Sequence, residues 1–156
     1  MIALAGRLRR DERGVGLIEL ALFAPIIALM TVGITDVARA YSQKLMVEQA
    51  VYRALEKAAV GTVQTDYAYL KPEAASAAGV TLDRVALAAW LECDGVKQPL
   101  FAGECTQNQM VSRYVELEVT SQFKPTFSFG MAGYALFKTG SDGTAPISAK
   151  AAVRVQ

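Results

Sequence analysis

Glu19 is a carboxylate where the chain should carry none. It stands five residues after Gly14, and from Val15 to Thr35 it is the lone charged side chain. A charge at mid-bilayer costs roughly 2.5–3.5 kcal/mol on insertion scales, and less near the interface. An ionisable residue in such a run points to function, with snorkelling to the interface as the bland alternative. An opposite charge in low dielectric would offset part of that burial cost.

Other reactive groups are few. The chain of 156 residues has no histidine. That removes His-based acid–base chemistry, Ser-His and Cys-His nucleophile pairs, and most zinc sites. Glu116 and Glu118 alternate on a strand pattern, which reads as a solvated face rather than a catalytic pair, since no third partner accompanies them. No nucleophile motif, phosphate loop or glycine fingerprint is present. No cofactor or metal is expected. The net charge is +1 without a block of like charges, which argues against nucleic acid as a partner.

Cys93 and Cys105 are the two cysteines, and two without histidine are too few for a structural zinc site. Outside the cytoplasm they are expected to pair, closing a loop of about a dozen residues worth on the order of 3 kcal/mol. Two free thiols are the alternative.

The elements that hold these groups begin with the apolar run. About 21 helical residues span roughly 31 Å, the thickness of a hydrocarbon core. Arg7, Arg9, Arg10 and Arg13 precede it, with Asp11 and Glu12 among them. Lysine and arginine set orientation, so the N-terminus is expected to stay cytoplasmic and everything after about Asp36 to lie on the far side. Ala38-Arg39-Ala40 has the form of a secretory cleavage site. Against that reading, the apolar run is long, contains a glutamate, and its helical pattern continues through the site.

Asp36 to Val60 contains neither proline nor glycine. Val47, Val51, Leu55 and Ala58 recur every three or four residues, which predicts one apolar stripe on a helix ending at Gly61. Glu48 and Tyr52 lie one turn apart, toward solvent. Membrane and amphipathic segments together predict one helix of about 45 residues, interrupted weakly by Pro25 and Gly33. Lys71 to Gly79 reads as a short helix.

Then the period changes to two. Val85 to Cys93 alternates as a strand, Asp94-Gly95 is a turn, and Gln98 to Gln109 reads as a loop. Tyr114 to Ser121 is a second strand and Ile147 to Val155 a third. Trp90 and the phenylalanines at 123, 127, 129 and 137 read as packing residues. The predicted class is α+β: a long N-terminal transmembrane and amphipathic helix packed, through its Val47 stripe, on a small antiparallel sheet of about three or four strands.

With these residues in place, the chain resembles a class III signal-bearing type IV prepilin: a basic leader, a glycine, an apolar helix, and a glutamate at the fifth mature position. Within that class it is similar to the TadE-like family of tight-adherence (Flp) pilus assembly pseudopilins. The resemblance rests on Arg-Asp-Glu-Arg-Gly at residues 10–14, Glu19, Pro25, the helix from Val37 to Ala59 with Tyr41 and Glu48-Gln49-Ala50, and the terminal Ala-Ala-Val-Arg-Val. One departure is Leu20, where that family typically has an aromatic residue; leucine is what type IVa pilins and type II secretion pseudopilins carry.

The resemblance implies a pilin-like fold and no enzymatic activity. It implies processing between Gly14 and Val15 by a prepilin peptidase, and a recruitment role in assembly for Glu19. The implied partners are the peptidase, other pilins and pseudopilins, the inner-membrane assembly platform and the membrane itself. The implied layout is a leader at 1–14, a transmembrane helix at 15–35, an amphipathic extension at 36–61 and a periplasmic α+β domain at 62–156, anchored in a bacterial inner membrane. A type II secretion pseudopilin is the alternative within the class. An unprocessed single-pass anchor with a periplasmic binding domain is the alternative outside it.

Overall fold

The computed structural model describes residues 15–60, 66–126 and 140–156. Two compact units divide the chain, Met1–Ala38 and Arg39–Gln156. The expected leader, Gly61 and the aromatic residues at 127, 129, 134 and 137 lie outside the described residues.

Helix α1 is assigned over Val15–Val60, with Pro25 inside it. Among the described residues of the first unit, its large apolar side chains find little cover. Leu20, Leu22, Phe23, Ile26, Ile27, Met30 and Ile34 are all about half exposed or more. Thr31 and Thr35 hydroxyls donate at 2.8 Å to the carbonyls one turn back, so neither polar group needs water. This is one helix long and apolar enough to cross a membrane. Asp36, at the end of the run, is buried.

The second unit is an α+β layer pair, as the change of period predicts. The Val47, Val51, Leu55 and Ala58 stripe is buried, joined by Ala50 and Ala54, and clusters with Val115, Leu117 and Val119 of the sheet. Those three sheet residues are 0% exposed, which places the centre of the core under the helix. Tyr52 is exposed and Glu48 half-buried.

Helix α2, Leu70–Ala78, starts one residue earlier than Lys71 and closes at Gly79. Pro72 still falls in the first turn, where its missing N–H would have had no partner. Gly79 takes the left-handed conformation (φ 65°), its N–H donating to Ser76 O and that of Val80 to Ala75 O. That double bond closes the helix in a Schellman cap. Ala74, Ala75 and Ala78 are buried in the core cluster.

A 3₁₀ turn at Leu82–Arg84 leads into strand β1, Val85–Cys93. β2 is Val96–Gln98, β3 Val111–Phe123 and β4 Ala145–Arg154. All neighbours are antiparallel, in the order β2-β1-β3-β4. Asp94 (φ 50°) and Gly95 (φ 80°) form the two-residue turn between β1 and β2. Positive φ at both positions matches the strand twist, as in type I′ hairpins.

The sequence reading missed β2, because three residues are too few to show alternation, and it placed Gln98 in a loop. It also stopped β3 short at both ends. One face of the sheet packs on α1. The other carries Ala86, Ala88, Trp90, Tyr114, Glu116, Glu118 and Lys150, and no helix among the described residues covers it.

Candidate functional site

Gly14, the residue before the expected cut, lies outside the described residues, and the structure describes Val15 as the start of α1. Glu19 follows on the same helix, exposed, with no acidic side chain in the first turn before it. Residues four apart share a helix face, and side chains lean toward the N-terminus. Glu19 and Val15 therefore share one face of α1.

Around Glu19 the exposed side chains are Ile18, Leu20, Leu22 and Phe23. Such a surface is larger than soluble monomers expose singly, and calls for lipid or another apolar helix.

Cys93 and Cys105 belong to the other unit. They are joined in a disulfide, with Cα atoms 5.7 Å apart and a sequence separation of 12. The bridge ties the connection after β2 to the end of β1. A second restraint acts on the same connection. Arg113 donates through Nε to Phe101 O at 3.3 Å and through Nη2 to Gly103 O at 3.0 Å. Its remaining Nη1 meets the Gln156 side chain.

Arg113 was not singled out by sequence. The signal was there: it occupies a β3 position where the neighbouring inward residues are Val115, Leu117 and Val119. A cation breaking an apolar alternation needs fixed acceptors, and here they are backbone carbonyls.

Helix and sheet are also joined by polar contacts. Gln43 donates to Ser121 Oγ at 2.7 Å and to Gln122 O at 3.2 Å. Arg39 donates to Thr126 Oγ1 at 2.7 Å, its guanidinium 5.9 Å from the Phe123 ring centre.

Glu116 and Glu118 point to the uncovered face of the sheet. Lys150 lies 2.9 Å from Glu116 and 3.9 Å from Glu118. The hydrogen bond and charge of Glu116, followed by Glu118, raise the Lys150 pKa. These carboxylates thus neutralise a lysine. On the same face Trp90 stacks on Tyr114 (centres 5.5 Å apart), and the Lys97 ammonium sits 4.1 Å from the indole centre. Among the described residues no group of three potential metal ligands occurs.

No curated protein and no solved structure matches this chain. A family model does. It covers the segment that holds Gly14, Glu19, Pro25 and the greater part of α1, and bears out over that stretch the resemblance read from the sequence: residues 14–55 match the family of TadE-like protein.

Proposed function

We propose that the protein is a minor pseudopilin acting in assembly of a tight-adherence (Flp, type IV-like) pilus. In this reading residues 1–14 are a leader, removed between Gly14 and Val15 by a membrane-embedded aspartyl prepilin peptidase. Residues 15–35 cross the inner membrane with the N-terminus cytoplasmic, 36–61 extend the helix, and 62–156 form a periplasmic domain. The observation that carries this reading is that one segment, residues 14–55, matches TadE-like protein and also holds Gly14, Glu19 and the membrane-length helix.

The chemistry is consistent with it. Glycine before the cut lets a protease approach the backbone closely. Cleavage frees an α-amino group on Val15, one turn from the Glu19 carboxylate. That amine, its own or a neighbouring subunit's, is a cation of the kind the carboxylate needs. Pairing in low dielectric offsets part of the burial cost. A subunit whose amine is not yet paired would be drawn to an assembly that offers the carboxylate.

The test is the mass of the protein extracted from membranes of cells with and without an active prepilin peptidase. The expected mass with peptidase begins at Val15. An intact Met1-to-Gly14 leader in those cells would refute the reading.

A second reading, a type II secretion pseudopilin, is favoured by Leu20 after the glutamate. Genomic neighbourhood separates the two, since a tight-adherence locus encodes its own pilin, secretion ATPase and peptidase.

A further inference from the structure

The two ends of the disulfide stand in unlike settings. Cys93 closes β1, paired with Val96 of β2 on one side and Val111 of β3 on the other. It is 4% exposed and shares the core-facing side of β1 with Leu91. Cys105 lies outside any helix or strand. It is half-buried, between exposed Glu104 and exposed Thr106.

Bonds other than the disulfide fix the chain that carries Cys105. Before it, Arg113 holds the carbonyls of Phe101 and Gly103. The Phe101 ring meets Tyr67 edge-on, with centres 5.6 Å apart, and Tyr67 is buried in the core cluster. After it, Thr106 N–H donates to Gln109 Oε1 at 3.1 Å. Met110 N–H donates to Asp94 Oδ1 at 2.8 Å, and Asp94 N–H returns a bond to Met110 O at 3.0 Å. Asp94 follows Cys93 directly, so this exchange seats the far end of the connection beside Cys93. None of these restraints needs the bond between the sulfurs.

We propose that the disulfide is made on the already folded domain, with Cys105 as the sulfur that meets an external disulfide and Cys93 as the buried sulfur that resolves it. The thiolate is the attacking species, and exchange passes through a mixed disulfide. Cys105 Sγ attacks one sulfur of the external disulfide. A bond from Cys105 to that sulfur forms, the external S–S bond breaks, and the second external sulfur departs. Cys93 Sγ then attacks Cys105 Sγ. The Cys93–Cys105 bond forms as the mixed bond breaks, and the first external sulfur departs. Two protein thiols are oxidised by two electrons in all. The external disulfide is reduced to two thiols, which carry away the two protons.

Access sets the order. The incoming sulfur must reach the one that attacks it, and exchange depends on that access. Strands on both sides and the core beneath close off Cys93, whereas Cys105 sits on a connection with exposed neighbours. In this order the resolving attack comes from inside and the reagent leaves toward solvent. The opposite order would seat the reagent in the core. The inference does not depend on cleavage at Gly14.

The experiment starts from the full chain, reduced in detergent micelles and freed of reductant. Amide exchange at Leu117 and Val119 should stay slow, which shows the domain folded without the bond. Oxidised glutathione is then added and adducts are read by mass spectrometry after acid quench. Cys93→Ser should trap glutathione on Cys105. Cys105→Ser should take it on Cys93 more slowly by about tenfold or more, and the two rates should converge in denaturant, where neither thiol is covered. The core amides of each variant report its folding. A short iodoacetamide pulse on the reduced wild type needs no substitution, and it should label Cys105 ahead of Cys93.

Equal labelling of the two cysteines in the folded wild type would overturn the proposal, as would faster adduct formation on Cys93. Loss of core protection on reduction would overturn it too, because folding would then wait on the disulfide.

Discussion

The Gln43 side-chain amide donates a 2.7 Å hydrogen bond to the Ser121 hydroxyl, linking a helix turn to the inner face of β3. Ser121 is buried and has apolar neighbours along its strand face. Gln43→Leu keeps the bulk but removes the partner, and a buried hydroxyl left unsatisfied costs about 1–3 kcal/mol. Denaturant unfolding of the full chain in micelles should show that loss. Adding Ser121→Ala should recover most of it, because removing both partners is close to neutral. Additive losses would mean the bond contributes nothing.

The disulfide should contribute about 3 kcal/mol, given the 12-residue separation of its ends. Replacing Cys93 and Cys105 together by serine should lower the denaturant midpoint accordingly. Reduction of the native protein should match it. Arg113 still holds Phe101 and Gly103 by their carbonyls, so the connection should stay partly ordered in the variant. Combining the variant with Arg113→Ala is expected to raise proteolytic cutting between residues 99 and 109.

Asp142 anchors the turn before β4, accepting from Thr144 N–H at 3.0 Å and from its hydroxyl at 2.7 Å. Those bonds, the hydroxyl's first, hold the Asp142 pKa below the usual 3.8. A depressed carboxylate stabilises the fold above its unfolded pKa, and the gain is lost as pH falls through the folded value. Melting curves of wild type and Asp142→Asn should therefore differ at neutral pH and converge as pH falls below 3.8. A difference that stays constant well below pH 3.8 would remove Asp142 from the account.

Glu19→Ala should insert into membranes at least as well as wild type, since it deletes a charge costing roughly 2.5–3.5 kcal/mol at mid-bilayer. Processing at Gly14 should persist, and surface pili counted by electron microscopy should fall. Normal piliation by this variant would count against a recruitment role.

How much of this was legible in the sequence varied with the range of the interaction. The helix stripe of Val47, Val51, Leu55 and Ala58 was plain, because each residue reports its face through local spacing alone. The strand alternation around Val115 and the Asp94-Gly95 turn were plain for the same reason. β2 was not, since three residues carry no period and owe their strand form to pairing with Leu91, Glu92 and Cys93. The order β2-β1-β3-β4 puts β1 and β3 at the centre, and no local pattern ranks the strands that way. Arg113 and Gln43 act on residues far along the chain, and no spacing announces such partners. Glu19 is singled out by sequence alone, as the one charge in the apolar run after Gly14.

Trp90 is the sole tryptophan in the chain, and it stands on the side of the sheet away from α1, between Lys97 and Tyr114. Its emission is therefore a built-in gauge of that surface. Loosening of the packing under α1 would pass nearly unseen in the fluorescence, whereas parting β1 from β3 separates the indole from its stacked ring. A protein landing on that face would announce itself in the same signal, without a label.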